Sequence, residues 1–168
     1  DKVIIQMLYS TGIRVGECVN LKRQDVHSDR MVIRVVNGKR QKDRYVPLSP
    51  MMLHQLEMYY VQYEPDEFIF YGRNKNAPMC RKTVNRIIRN TNSVLETKET
   101  ITPHTFRHSF ATMLTEEGES LFKIQKILGH KSINSTLRYL KAAKTELKSC
   151  VNPLDKIYED NLKIAYQQ

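Results

Sequence analysis

The sequence predicts a mainly α-helical domain with one small antiparallel β-sheet, an α+β arrangement. Three observations carry this. Apolar residues recur at helical spacing along most of the chain. A single β-branched run, MVIRVV at 31–36, is followed by Asn37-Gly38, a hairpin-turn signal. No repeat or low-complexity segment interrupts the pattern. At 168 residues and 40% apolar content, the chain has enough material for one domain with a real core.

The elements follow in order. Val3, Ile4, Met7 and Leu8 form a helical stripe that Ser10-Thr11-Gly12 breaks. RVGECVNL resumes as a helix with Val15, Cys18 and Val19 on one side. The strand at 31–36, a polar basic stretch KRQKDR and the short strand YVPL make the sheet near residues 31–48. Residues 50–62 read as a helix, and EFIF as a short strand or loop. From 80 to 97 a helix carries Val84, Ile87 and Ile88 on one face. Lys82, Asn85, Arg86 and Arg89 lie on another, which suits either solvent or a nucleic acid. Helices at 104–117, 121–128 and 133–148 come next. SCVNP reads as a linker, and Leu154, Ile157, Tyr158, Leu162 and Ala165 as a short amphipathic helix behind it. The domain is therefore expected over 1–148, with a linker and tail helix over 149–168. The chain opens in an apolar run without an initiator Met, which reads as a piece of a longer protein.

Lys plus Arg is 27 against 18 Asp plus Glu, a net charge of +9 that points to a polyanionic partner, most simply nucleic acid. A basic protein kept soluble by its charge is the plainer alternative. A membrane surface fits poorly, since no helix has a lysine-rich amphipathic face and no apolar run approaches the ~20 residues of a membrane span. Cys18, Cys80 and Cys150 are far apart and have no zinc spacing; they suit a reducing cytoplasm. No carboxylate cluster suggests Mg²⁺, and no GxxxxGK[ST] loop or Ser/His/Asp set stands out. No metal or cofactor is expected.

What remains is basic. In TPHTFRHSF, 102–110, Thr102 is placed as an N-cap and Pro103 as the first helical residue. His104 then lies in the first turn, where free N–H groups favour an anion, and shares a face with Arg107. His108 is expected to point away from that face and to pack or cap. Arg14 follows the Gly12 turn, Lys39 sits at the hairpin tip, and His130 follows Gly129 at a helix end. Two arginines could neutralise a phosphodiester as charge builds in the transition state. A lysine could protonate a leaving alkoxide, histidines could donate or take a proton, and the Tyr139 hydroxyl could attack. Each residue also has a plainer reading: Tyr139 as a packed helix residue, Lys39 as surface, His130 as a cap.

The ordered set resembles the catalytic domain of the tyrosine recombinases, the phage-integrase and Xer-type family. The resemblance covers residues 1 to about 145. It rests on TGIRVGECVNL, GKRQKDRYVPL, TPHTFRHSFATML and IQKILGHKSINSTLRYL, with 23 residues from Arg107 to His130 and nine from His130 to Tyr139. It implies the tyrosine recombinase catalytic-domain fold. It also implies that Arg14 and Arg107 clamp the scissile phosphate, that Lys39 is the general acid with Lys42 its rival in the same hairpin, and that His104 and His130 attend the phosphate. Tyr139 is then the nucleophile and Glu17 a supporting acid. The implied reaction cleaves and rejoins DNA through a 3′-phosphotyrosine, without metal or ATP. It runs in a homo-tetramer on a double-stranded recombination site, with DNA-bending accessory proteins in some systems and a monomer when alone. The tail suits exchange between protomers, and the family's separate N-terminal DNA-binding domain is not in this sequence. Lys22, Arg81, Lys82 and Arg86 are candidate DNA-backbone contacts, Lys42 another. The alternatives are a type IB-like topoisomerase and a non-catalytic DNA-binding module. A cytoplasmic, nucleoid-associated location follows.

Overall fold

The structure, a computed structural model, describes residues 1–36, 43–95 and 100–142. Helix α1 spans Lys2–Thr11 and α2 Val15–Val19. After a 3-10 turn at Arg23–Asp25 come strands β1 (Val26–His27), β2 (Val32–Val35) and β3 (Arg44–Pro47). Helices α3 (Pro50–Tyr63), α4 (Arg81–Leu95), α5 (Pro103–Glu116), α6 (Leu121–Leu128) and α7 (Asn134–Ala142) complete the order. The expected mainly helical architecture with a small antiparallel sheet is what the chain forms. The short β1, paired to β2 through Val26 and Ile33, was not foreseen, because two residues carry no readable alternation. EFIF supplies only an isolated bridge, between Lys22 and Phe68. The helix expected to 148 is described to Ala142, and the tail at 149–168 lies outside the described residues.

The caps explain the boundaries. Ser49 accepts from the Met52 N–H and Ser120 from the Lys123 N–H, starting α3 and α6. Thr102 accepts from the Thr105 N–H at 3.2 Å, and Pro103 takes the first helical position, so α5 begins where the sequence places it. α1 and α6 each end on a left-handed glycine, Gly12 and Gly129.

Two apolar clusters hold these elements together. The larger joins α1 and α2 (Ile4, Met7, Leu8, Cys18) to the inner sheet face (Ile33, Val35, Val46), α3 (Met52, Leu56) and α4 (Val84, Ile87, Ile88). In the sheet, Ile33 faces Val46 across β2 and β3, and both are buried. The smaller cluster is Phe110, Ala111, Ile124, Leu128 and Tyr139, from α5, α6 and α7. α5 packs on α1 as well as on α6 and α7, so it links the two clusters. Its buried face also carries a cation, Arg107. Among the described residues, no helix is long and apolar enough to cross a membrane.

Candidate active site

The site begins at the bend after α1. Gly12 has φ 62°, and a Cβ there would stand 2.4 Å from Cδ1 of Phe110. Only glycine fits both the left-handed backbone and the contact. The bend presents the Gly12 carbonyl to Arg107, whose Nη1 donates to it at 2.8 Å. Nη2 of Arg107 donates to the Leu128 carbonyl at 2.6 Å. A guanidinium only 4% exposed needs such partners, because a buried charge without them is costly. Burial, then the neighbouring positive charges of Arg14 and Arg44, bring its pKa down to about 10, with Glu17 and Tyr139 pulling the other way. Arg107 therefore remains a cation at neutral pH.

Arg14 opens α2. Its main-chain N–H donates to Oε2 of Glu17 at 2.7 Å, and its Nη1 to Oε1 at 3.0 Å. The same carboxylate meets Arg44 end-on, Nη1 to Oε1 at 2.9 Å and Nη2 to Oε2 at 2.8 Å. Nε of Arg44 donates to the Ile127 carbonyl at 2.7 Å. Burial pushes the Glu17 pKa up. The Arg44 hydrogen bonds, the Arg14 N–H and the two cationic charges together outweigh it, so Glu17 titrates below the ordinary carboxylate range and stays ionised. Sequence reasoning found Glu17 but missed Arg44. The two are 27 residues apart in the chain, and within KRQKDR nothing local marks one cation as buried.

Arg14, His104 and Arg107 line one cleft of about 350 Å³, together with Arg81 and Asn85 of α4. Thr102 and Pro103 at the start of α5 complete its wall, so the free N–H end of that helix opens there. His104 is exposed and Arg14 half-exposed, both available to a ligand. A cleft of about 720 Å³ adjoins it, sharing Arg14, Gly16 and Arg81 and reaching Lys22 and Arg34. Lys22 is held by Glu67 at 2.6 Å and lies over the Phe68 ring, while Arg34 is paired with the buried Asp25 at 2.9 Å. Lys82 and Arg86 line a third cleft, of about 510 Å³, with Arg73.

His130 follows the Gly129 turn, whose φ is 65° and where a Cβ would lie 3.0 Å from Cδ and Nε of Arg44. Its N–H donates to the Gln125 carbonyl at 3.1 Å, as expected of a residue closing a helix end. Its Nδ1 is 2.9 Å from the hydroxyl of Thr136, a fully buried residue of α7. Burial first, then the charges of Arg107, Arg14, Arg138 and Arg44, take its pKa down to about 4. The imidazole is neutral at pH 7. Tyr139 is 1% exposed, its ring 6.2 Å from that of His130 and 5.3 Å from that of His108. The expectation that His108 points away is corrected here. Residues four apart on a helix stand on one side, so His108 follows His104 and meets Tyr139.

Among the described residues, then, one cleft gathers Arg14, His104 and Arg107, but its wall includes neither His130 nor Tyr139. Those two stack on each other at the α6–α7 junction. Lys39 and Lys42 lie outside the described residues. Among the described residues, no group of three or more His, Cys, Asp or Glu could hold a metal ion.

The sequence model of the phage integrase family matches residues 1–146. The chain is 38% identical over 152 residues to the putative integrase/recombinase y4qK of Sinorhizobium fredii, covering 90% of this chain and 49% of that protein. It is 33% identical over 159 residues to the tyrosine recombinase XerD of Staphylococcus aureus, covering 90% of this chain and 53% of that one. Among solved structures, the XerA recombinase superposes with a TM-score of 0.73 at 28% identity, over 95% of this chain and 62% of that chain. The chain thus spans about half the length of the curated relatives it matches.

Proposed function

The chain belongs to the phage integrase family of tyrosine recombinases, and from that premise we propose that it cuts and rejoins DNA through a covalent 3′-phosphotyrosine. The observation that carries this reading is the cleft where Arg14, His104 and Arg107 meet at the open end of α5. An anion seated there faces two guanidiniums and a helix N-terminus.

In the proposed step, a phosphodiester of duplex DNA lies against Arg14 and Arg107. The Tyr139 oxygen attacks phosphorus, the P–O5′ bond breaks, and a free 5′-hydroxyl is released. The tyrosine proton passes to His104. Lys39 supplies the proton for the 5′-oxygen, with Lys42 as the alternative donor. The two arginines offset the charge that grows on the non-bridging oxygens. His130 works as a neutral hydrogen-bond donor. That role calls for the tautomer with the ring proton on Nε2, in which Nδ1 accepts from the Thr136 hydroxyl 2.9 Å away. The step needs the Tyr139 hydroxyl to leave the packing of α5, α6 and α7 and turn toward the cleft. Attack by the 5′-hydroxyl of a second strand reverses the chemistry, so bond energy is conserved in the ester. The partners under this reading are a double-stranded recombination site and further copies of the chain, assembled as a tetramer on DNA. The tail at 149–168 joins neighbouring protomers, and the protein works associated with DNA.

The test is a nicked duplex carrying the protein's own recombination site, which traps the covalent product because the cleaved strand diffuses away. The reaction is run in EDTA. A protein–DNA adduct that survives denaturation and is absent with Tyr139→Phe is the expected result. A folded, DNA-binding full-length protein that forms no adduct would sink the proposal and leave a binding module.

A further inference from the structure

We propose that Arg44 is the positioning residue of the site, a buried strut that sets Arg14 and the His130 turn in register for cleavage. The inference rests on the recombinase reading above and adds to it a buried residue that is not part of the cleft wall.

Arg44 begins β3, the strand that emerges directly from residues 37–42, where Lys39 lies. Its guanidinium is 7% exposed and its fork points two ways. The Nη1 and Nη2 groups grip both oxygens of Glu17 at 2.9 and 2.8 Å. Glu17 in turn holds Arg14 by main chain and by side chain, at 2.7 and 3.0 Å. The Nε group grips the Ile127 carbonyl at 2.7 Å, one residue before the Leu128 carbonyl that receives Arg107. Gly129, the turn that aims His130, lies against the Arg44 side chain. One planar group therefore ties together the strand next to Lys39, the start of α2 and the end of α6.

Stability alone does not explain such a residue. Replacing a buried ion pair by apolar groups of similar volume is often neutral or stabilising, so what the pair supplies here is geometry. The geometry in question is specific to arginine. A lysine offers one ammonium and cannot place three N–H groups in a plane toward a carboxylate and a carbonyl. Loss of the fork frees Glu17 to rotate, and Arg14, half-exposed, follows it. A displacement of about 1 Å in a phosphate-positioning group lowers a rate by as much as about 100-fold.

The experiment is single-turnover cleavage of the nicked duplex by wild type, Arg44→Lys, Arg44→Met and Arg14→Lys, and by the Arg14→Lys/Arg44→Lys double variant. Rates are normalised to the folded fraction, and DNA binding is measured separately. The expected result is a cleavage rate lowered by up to about 100-fold in Arg44→Lys, with binding unchanged. In the Arg14→Lys background, Arg44→Lys should lower the rate little further, because the two act as a unit. Should Arg44→Met fail to fold, Arg44→Lys decides. A folded Arg44→Lys that cleaves at the wild-type rate overturns the proposal, as does a loss that multiplies in full with that of Arg14→Lys. A wild-type protein that forms no adduct overturns the recombinase reading itself, an outcome distinct from either.

Discussion

The ring of Tyr139 lies almost parallel to the imidazole of His130, with 12° between the planes and 6.2 Å between the centroids. The residue proposed to attack phosphorus is thus also part of the α5–α6–α7 packing, beside Phe110, Ala111, Ile124 and Leu128.

The two roles separate by substitution. Tyr139→Phe keeps the ring and its contacts, so its thermal midpoint should stay near that of the wild type while the adduct disappears. Tyr139→Ala removes a fully buried aromatic ring and should cost about 3–5 kcal/mol. At roughly 2–4 °C per kcal/mol for a chain of this size, the midpoint falls by about 10 °C. Melting by circular dichroism checks both. An alanine variant that melts with the wild type would contradict the packing described here.

Acid should weaken the fold in two stages. His130 titrates at about 4 in the folded chain and near 6.5 when unfolded. Between those values the unfolded state binds more protons, so the His130 contribution is complete above pH 6.5 and shrinks as the pH falls toward 4. Glu17 is held below its ordinary 4.5, so its contribution is complete above that value and is lost as the pH drops through the folded pKa. Urea midpoints measured down the pH scale should show both stages. His130→Gln should flatten the first and Glu17→Gln the second.

Gly12→Ala should hurt stability and chemistry together. The left-handed backbone costs a side chain about 1–2 kcal/mol, and the new methyl must push the Phe110 ring aside. The displaced Gly12 carbonyl also releases Nη1 of Arg107. The expected result is a lower melting temperature and a cleavage rate reduced even per folded molecule. A variant with reduced stability but unimpaired cleavage would show that this carbonyl does not help aim Arg107.

DNA binding should depend steeply on salt. If Arg81, Lys82 and Arg86 each neutralise one phosphate, changing any of them to Gln lowers the slope of log K against log salt by about 0.9. Lys22→Gln should change it less, because Glu67 already offsets that charge. Equal slopes for wild type and all three α4 variants would remove α4 from the DNA interface.

Much of this molecule was legible from short-range signals. Thr102 and Pro103 announced the start of α5 through cap chemistry that needs no tertiary context. Gly129 marked the end of α6 in the same way, and the stripe of Val84, Ile87 and Ile88 placed α4 and its buried face. What escaped was long-range. Arg44 looks like any other cation in a basic stretch until β3 brings it against Glu17 and the end of α6. The company of Tyr139 was equally hidden. Its partners His108 and His130 come from two other parts of the chain, and His108 stands one turn beyond His104 on α5, which brings it to Tyr139.

Helix α4 divides its duties by face. Val84, Ile87 and Ile88 serve the core, while Arg81, Lys82, Asn85, Arg86 and Arg89 look outward without an acidic neighbour on the helix. The clamp built from Arg44, Glu17 and Arg107 is anchored elsewhere, on main-chain carbonyls and a buried carboxylate. Under the recombinase reading, Lys82, Arg86 and Arg89 are the outer α4 residues whose replacement would give such a chain a new address on a genome. Arg81 and Asn85 are the ground that address and blade hold in common, since both also line the cleft of Arg14, His104 and Arg107.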